Sequence, residues 1–370
     1  MKYKRIVVKI GSNVLTRSNG ELDVTRISAI VDQVATLRKA GVEVVVVSSG
    51  AVAAGRCVVG KRSRVETQDL ASPRAKLDTV GQRQLFSAVG QVQLMNRYSN
   101  FFREHDIVCG QVLTTKESFA TRGHYLNQRN CMRVMLDSGV VPIVNENDTI
   151  SVTELMFTDN DELSGLVSTM MGAEVLIILS NVDGIFNGVP GEPGAEVIRE
   201  VHADSEDISE YIQAGKSHFG RGGMITKSRI ASKLADQGIE VIIANGKKED
   251  ILLDIVRGKG AVCTRFVPSA RAASGVKRWI AHSESFTKGE IHINKNAYVA
   301  LQQPKAVSLL PVGVERIKGE FEKNDVAKIM YDGKQIGLGR VSYDSEKART
   351  MIGKRGGKAI IHYDYLYLEQ

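Results

Sequence analysis

Over its first 260 or so residues the chain alternates short β-branched runs with stretches in which apolar residues recur at helical spacing. Residues 42–47 are almost continuously apolar, as is typical of a strand buried on both faces of a parallel sheet. Strands are predicted at residues 6–9, 42–47, 107–108, 140–144, 175–179 and 241–243. Helices are predicted between them, at 27–37, 85–92, 125–136, 162–171 and 226–237. This alternation predicts an α/β fold with a mainly parallel sheet.

The pattern changes in the last hundred residues, where helix signals are few. Short strands separated by Gly, Asn or Asp are predicted at 291–293, 306–310, 326–330 and 336–341. They indicate a small β-rich domain, either a barrel or a sandwich. The predicted organisation is an α/β domain over 1–260, a linker over 261–276, a β domain over 277–360 and a tail over 361–370.

Composition excludes several protein classes. With 43% hydrophobic and 25% charged residues, the chain is neither disordered nor fibrous. Its four cysteines are scattered and form no CxxC pair, which excludes a disulfide scaffold and argues against a structural zinc site. The longest apolar run is far shorter than a membrane span. We therefore expect a protein of the reducing cytoplasm.

The positive charge is concentrated near the C-terminus. Of the net charge of +7, residues 271–370 carry +6, from 17 basic and 11 acidic side chains. The first 270 residues are nearly neutral, with 32 basic and 31 acidic side chains. A nucleic-acid partner is therefore a hypothesis for the C-terminal domain alone. A solvated basic surface would give the same count.

Five motifs follow predicted strands or begin predicted helices. They are Lys-Ile-Gly-Ser at 9–12, Ser-Ser-Gly-Ala at 48–51, Asn-Glu-Asn-Asp at 145–148, Asp-Asn-Asp at 159–161 and the glycine-rich segment at 220–227. Each alone has a simpler explanation, such as a helix cap or a solvated charge. Because open α/β sheets bind ligands beyond the carboxyl ends of their strands, all five are expected at one edge. Lysines, glycine turns and clustered acids there suit phosphoryl transfer.

One further glycine motif, at residues 55–62, nearly matches a phosphate-binding P-loop. Arg62 stands where a P-loop needs the Ser or Thr hydroxyl that holds Mg²⁺. The motif also follows helix-like residues rather than a strand end. We interpret the match as chance.

Several segments together resemble the glutamate 5-kinases of the amino acid kinase superfamily: VVKIGSNVLT, VVVVSSGAVAAGR, VPIVNENDTI, DNDELS and GRGGMITK. Residues 277–342 resemble a PUA domain, a module best known from RNA-modifying enzymes. The resemblance implies a three-layer αβα sandwich with a mainly parallel sheet, followed by a small β-barrel-like domain. It also implies ATP-dependent phosphorylation of the side-chain carboxylate of L-glutamate to L-glutamyl 5-phosphate, the first step of proline biosynthesis.

The resemblance assigns roles to residues of the matching motifs. Lys9 and Lys227 are expected to be catalytic, and Ser49, Asp148 and Asn160 to bind glutamate. The expected ATP-binding residues are Lys9, Gly11, Ser180, Asn181, Arg221, Gly222, Gly223, Met224, Ile225, Thr226 and Lys227. Mg²⁺ is expected with ATP, with no direct protein ligand assigned. The resemblance further implies a homo-oligomer, either a dimer or a tetramer, and feedback inhibition by proline, and it leaves RNA binding by the PUA domain open.

The sequence departs from the family pattern at three places. Ser180-Asn181 replaces a Thr-Asp pair, Thr158 replaces a glycine before Asp-Asn-Asp, and the region 187–194 lacks the usual Asp-Pro. Two alternatives stay open: a superfamily relative acting on another small carboxylate, carbamate or phosphate, and an RNA-binding protein with a vestigial kinase domain. The retained lysines and acid/amide motifs argue against the second, and the motifs of Asp148 and Asn160 favour an amino acid substrate.

Overall fold

The computed structural model describes residues 1–66, 79–120, 122–150, 160–190, 192–202, 223–269, 277, 279–280, 283, 287–303 and 306–368. The chain forms two compact units. The first comprises Met1–Thr115 and Asn130–Ala272, and the second comprises Lys116–Arg129 and Ala273–Gln370. Among the described helices, none is both long and apolar enough to cross a bilayer.

An eight-stranded sheet forms the centre of the first unit. Its strands are β1 Arg5–Ile10, β2 Glu43–Ser48, β3 Cys109–Thr114, β4 Val141–Glu146, β5 Val175–Ser180, β6 Glu200–Val201, β7 Glu240–Asn245 and β8 Cys263–Phe266. They lie in the order β3-β4-β2-β1-β5-β7-β8-β6, and the six strands from β3 to β7 pair in parallel. Strand β8 runs antiparallel to β7. The predicted α/β class with a mainly parallel sheet is confirmed.

Helices connect these strands, as the apolar spacing predicts. The described helices of this unit are α1 Ser12–Leu15, α2 Val24–Lys39, α3 Ala51–Glu66, α4 Thr79–Arg103, α6 Arg122–Asp137, α7 Asn160–Met171, α8 Gly223–Asp236 and α9 Ile251–Arg257, with α6 starting in the second unit. The Asp23 side chain caps α2 by accepting from the Arg26 backbone N–H at 3.2 Å. The buried face of α2 carries Ile27, Ile30, Val31, Val34 and Leu37, at the predicted spacing.

Two glycines bring α3 and α4 into close contact. A Cβ atom on Gly55 would lie 1.8 Å from the Phe86 carbonyl oxygen, and one on Gly90 would lie 1.8 Å from that of Ala51. Only residues without a side chain allow the two backbones to approach this closely. The near match to a P-loop therefore lies inside a helix, where its glycine serves helix packing, and the interpretation as chance is confirmed.

Two segments of the first unit differ from prediction. Residues 107–108 precede β3 rather than form it, because the Ile107 backbone N–H closes the end of α4 on the Phe102 carbonyl at 3.0 Å. The predicted linker contains β8, in which buried Thr264 and Phe266 alternate with half-buried Cys263 and Arg265. A strand of four residues with two polar side chains gives too short a pattern to stand out from a linker.

A five-stranded sheet forms the centre of the second unit. Its strands are β9 Glu290–Ile293, β10 Val314–Lys318, β11 Val326–Tyr331, β12 Lys334–Val341 and β13 Ile361–Leu368, in the order β10-β9-β11-β12-β13. The predicted tail is thus strand β13, paired antiparallel with β12. Within the predicted strand 306–310, Leu309 makes an isolated bridge to Ile361.

The second unit also contains short helices that the sequence pattern did not reveal. They are α5 Glu117–Ala120, α10 Lys295–Leu301 and α11 Ser345–Met351. Trp279 is fully buried in this unit, and its indole N–H donates to the Phe119 carbonyl at 3.1 Å. Asn294 and Asp344 cap α10 and α11 by accepting from backbone N–H groups three residues on, which explains why such short helices form.

Candidate active site

Several predicted motifs meet at one edge of the first sheet. Strands β1, β2 and β4 are close neighbours in the sheet and parallel, so their carboxyl ends bring together Lys9, Ser49 and the segment 145–148. Helix α7 begins at this edge and contributes Asn160 and Asp161. The convergence predicted from the sequence is therefore observed for the motifs of these three strands and of α7.

Asp161 lies between the two predicted catalytic lysines. Its Oδ1 is 2.5 Å from the Lys9 ammonium, and its Oδ2 is 2.9 Å from the Lys227 ammonium. The Asp161 side chain is only 1% exposed, and the lysines are 6% and 15% exposed. Burial opposes ionisation of this carboxyl, but the two ammonium groups outweigh it and lower the pKa of Asp161. A charged carboxylate thus holds both lysines at fixed positions.

Asn160 joins three parts of the site. Its side-chain N–H₂ lies 3.0 Å from the Ser48 carbonyl oxygen, 3.0 Å from the Ser49 hydroxyl and 2.9 Å from the Asn145 side-chain oxygen. Asn145 is itself buried, and its amide donates to Gln91 on α4 at 3.0 Å. The network fixes the ends of β2 and β4 relative to the first turn of α7.

A second charged cluster surrounds Asp148, just beyond β4. Arg83 on α4 donates from Nε to Asp148 Oδ1 at 2.8 Å, and its Nη2 lies 2.7 Å from the same oxygen. Arg83 Nη2 is also 3.5 Å from a carboxylate oxygen of Glu146. The Ser87 hydroxyl donates to Asp148 Oδ2 at 3.4 Å. Two buried carboxylates therefore share one guanidinium.

The two clusters carry opposite net charge. Lys9, Lys227 and Asp161 sum to +1, whereas Arg83, Glu146 and Asp148 sum to −1. The hydrogen bond between Asn160 and Asn145 links the two clusters, because Asn160 precedes Asp161 in the chain and Asn145 precedes Glu146. Such an arrangement favours a ligand that is anionic at one end and cationic at the other.

The predicted nucleotide residues that the structure describes lie around the same edge. Ser180 ends β5, and its carbonyl accepts from the Gly246 N–H at 2.8 Å. Gly11 follows β1, where a Cβ atom would lie 3.2 Å from the Leu179 carbonyl oxygen. Met224, Ile225 and Thr226 form the start of α8 and precede Lys227, with Gly223 as the first residue of that helix. Thr158, Asp159, Arg221 and Gly222 lie outside the described residues.

A carboxylate lies close to the position where Asn181 replaces the family's acid. Asp183 accepts from the Lys248 ammonium at 2.7 Å and from the Asn245 amide at 2.9 Å. Burial opposes the charged form, but these hydrogen bonds outweigh it and lower the pKa of Asp183. The loop after β5 thus keeps a carboxylate, which joins it to the end of β7.

Sequence reasoning gave no role to several residues of this site, among them Asn145 and Glu146, which belong to a named motif. Asp161 was part of a named motif but received no role, because a buried bond to two distant lysines has no local pattern. Arg83, Ser87 and Gln91 all lie on the face of α4 that contacts the site. Their spacing of four residues is a signal that could have identified them, since positions i, i+4 and i+8 share one helix face.

Residues 4–245 match the amino acid kinase family, and residues 289–363 match the PUA domain. A glutamate 5-kinase of Bacteroides thetaiotaomicron is 60% identical over 370 residues, which cover 100% of this chain and 99% of the relative. A glutamate 5-kinase of Chlorobaculum tepidum is 46% identical over 368 residues, covering 99% and 98%. These matches confirm the resemblance inferred from the motifs.

A carbamate kinase from Giardia lamblia bound to AMP-PNP shares the fold over most of the chain. Its solved structure aligns with a TM-score of 0.52 at 18% identity, covering 72% of this chain and 99% of that one. Together with the family match, it confirms the predicted fold class.

Proposed function

The chain belongs to the glutamate 5-kinase family of amino acid kinases, and on that premise we propose that it phosphorylates the side-chain carboxylate of L-glutamate with ATP. The product is L-glutamyl 5-phosphate, the first intermediate of proline biosynthesis. The observation that carries the proposal is the pair of linked clusters of opposite charge. Glutamate fits them with its reacting carboxylate towards the lysines and its ammonium towards Asp148.

The chemistry follows from this placement. The attacking carboxylate is already anionic, so no general base is needed, and the main obstacle is repulsion between the carboxylate and the phosphates. Lys9 and Lys227 would offset that repulsion as negative charge shifts during transfer. Asp161 holds the two ammonium groups in place beforehand, which avoids reorganisation at the moment of reaction. Ser49 and Asn160 would position the substrate between the clusters.

ATP is the proposed phosphoryl donor, and Mg²⁺ is proposed to accompany it. Within the described ranges, no three His, Cys, Asp or Glu side chains group as metal ligands would, and both oxygens of Asp161 face lysines. Mg²⁺ commonly binds substrate phosphates and keeps several waters. The phosphate oxygens of ATP are therefore its proposed ligands. Ser180, Asn181 and the segment 221–227 are the proposed contacts of the nucleotide.

Trapping of the acyl phosphate tests the activity. Protein incubated with ATP, Mg²⁺, L-glutamate and hydroxylamine should yield γ-glutamyl hydroxamate, because hydroxylamine attacks an acyl phosphate. Lys227→Ala protein, prepared in parallel, is the control. If it forms little hydroxamate, the activity of the wild-type preparation does not come from a contaminating kinase. Reaction of aspartate, N-acetylglutamate, carbamate or uridylate in place of glutamate would instead establish one of the superfamily alternatives.

Feedback inhibition by proline is proposed at the glutamate site. Proline shares an α-carboxylate and a neighbouring ammonium with glutamate but lacks the reacting carboxylate, so it could occupy the Asp148 end alone. Proline should therefore raise the apparent KM for glutamate. Glutamate saturation curves that do not change with added proline would contradict this.

We also propose a homo-oligomer that acts in the cytoplasm. Leu85 and Val92 on α4 are exposed on one face, where a second copy could cover them. The four cysteines are free thiols, as a reducing compartment favours. Light scattering would measure the mass in solution, and a monomer at micromolar concentration would exclude the oligomer.

A further inference from the structure

Arg83 contacts two carboxylates of the site but has no role in the proposed chemistry. Its guanidinium is oriented by two carboxylates, Asp148 through Nε and Nη2 and Glu146 through Nη2. The carboxylate side chains are 7% and 4% exposed, whereas that of Arg83 is 42% exposed. The guanidinium is thus held along one edge and open along another.

The open edge retains hydrogen-bonding capacity. A guanidinium carries five N–H donors in a planar fork and cannot lose its charge near neutral pH. The contacts that the structure describes for Arg83 use Nε and Nη2, not Nη1. Planar forks of this kind pair with carboxylates in a bidentate manner.

An amino acid bound through its ammonium would bring a carboxylate to this place. The α-carboxylate is separated from the ammonium by a single carbon, so an ammonium on Asp148 puts the α-carboxylate within a few ångströms of that side chain. Two buried acids, Asp148 and Glu146, would repel it there. Arg83 contacts both acids and is the group that can offset this repulsion.

We propose that Arg83 binds the α-carboxylate of the amino acid substrate and thereby restricts the reaction to substrates in which that carboxylate is free. The inference rests on the proposed function, since it takes glutamate as the substrate and Asp148 as the partner of its ammonium. In the absence of substrate, Arg83 offsets one of the two negative charges of Asp148 and Glu146. On binding, the α-carboxylate of the substrate becomes a third carboxylate partner of Arg83, on its open edge.

A simpler role for Arg83 would be to hold Asp148 in position without touching the substrate. The two roles differ in what they predict for a substrate without the α-carboxylate. L-Isoglutamine, the α-amide of glutamate, keeps the ammonium and the reacting side-chain carboxylate but has a neutral amide in place of the α-carboxylate. A residue that only positions Asp148 would affect both compounds equally.

The test compares kcat/KM for L-glutamate and L-isoglutamine in the hydroxamate assay. We expect the wild-type protein to prefer glutamate. Arg83→Gln should lower kcat/KM for glutamate by about 10- to 100-fold and change that for isoglutamine by no more than about threefold, because only glutamate loses a charged partner. Arg83→Lys should retain part of the preference, since it keeps the charge and loses the fork. If isoglutamine turns over too slowly for kcat/KM to be determined, its inhibition constant as a competitor of glutamate is measured instead.

The matched control is Arg97→Gln, because Arg97 is exposed on the same helix. Equal losses for glutamate and isoglutamine in Arg83→Gln would overturn the proposal in favour of positioning, and so would unchanged values for both. If Arg83→Gln does not fold, the same comparison is made with Arg83→Lys. A larger loss of kcat/KM for glutamate than for isoglutamine supports the proposal, and equal losses contradict it. If the wild-type protein forms no hydroxamate from glutamate, the proposed function itself is refuted. That outcome is distinct from equal losses in Arg83→Gln, which refute only the role of Arg83.

Discussion

The two charged clusters of the site differ in how far water reaches them. In the cluster of Asp161, Asp161 and Lys9 are buried and Lys227 is 15% exposed, and the carboxylate has an ammonium at each oxygen. In the cluster of Asp148, the carboxylates are buried but the Arg83 guanidinium is half-exposed. Burial strengthens electrostatic interactions and limits their screening by salt. The first cluster is therefore suited to fixed catalytic geometry, and the second to exchange of partners with an incoming substrate.

The largest expected effect comes from removing one cation of the buried cluster. Lys227→Ala should lower kcat by about 100- to 1,000-fold, because a preorganised cation at the transferred phosphoryl group contributes about 3–4 kcal/mol. Steady-state hydroxamate kinetics measure this. Lys39→Ala, a change at an exposed lysine of α2, is the control and should not alter kcat. Turnover close to wild type in Lys227→Ala would remove that residue from the reaction.

The link between the clusters should contribute the next largest effect. Asn160→Ala removes the side-chain donor to the Ser48 carbonyl and one of the two donors to the Asn145 side-chain oxygen, which still accepts from the Glu146 backbone N–H. The free energy of unfolding should therefore fall by about 1–3 kcal/mol. Urea denaturation measures the loss, and Asn100→Ala at an exposed position of α4 is the matched control. The double variant with Asn145→Ala should lose less than the two single losses together. Additive losses would mean that the two asparagines act independently.

The buried cluster also predicts a pH dependence of stability. The lysines lower the pKa of Asp161 below its ordinary value of 3.8, so ionised Asp161 stabilises the folded protein above that pH. This contribution is lost as the pH falls through the lowered pKa. The stability difference between wild type and Asp161→Asn should therefore be constant from pH 7 to 5 and shrink below about pH 4. Denaturation series at several pH values measure it, and a difference that grows in acid contradicts the sign.

The smallest effect is expected from salt, at the half-exposed cluster. Raising the salt concentration from 0.05 to 0.5 M should raise KM for glutamate by about two- to threefold and leave kcat nearly constant, because salt screens the exposed guanidinium more than the buried lysines. Arg83→Gln should abolish most of this salt response. A kcat that falls with salt while KM stays constant would reverse the comparison between the two clusters.

The parts of the molecule that depend on local pattern could be predicted from the sequence. The apolar runs located β1, β2, β4, β5 and β7, and parallel pairing then placed Lys9, Ser49 and Asp148 at one edge. The partners of these side chains could not be predicted in this way. Asp161 meets Lys9 and Lys227 across large sequence separations, and Arg83 reaches Asp148 only because α4 packs at a particular place. Strand β13 was missed although its aromatic and aliphatic residues, interrupted only by His362 and Asp364, are typical of a strand.

The tight crossing of α3 and α4 at Gly55 and Gly90 gives a protein engineer a way to change substrate choice from outside the site. Helix α4 carries Arg83, Ser87 and Gln91 as one wall, and its distance from the acids is fixed by backbone contact at the two glycines. A single methyl group at either position would displace the whole wall rather than one side chain. Libraries meant to accept longer or shorter amino acids should therefore vary these glycines together with the residues of the site.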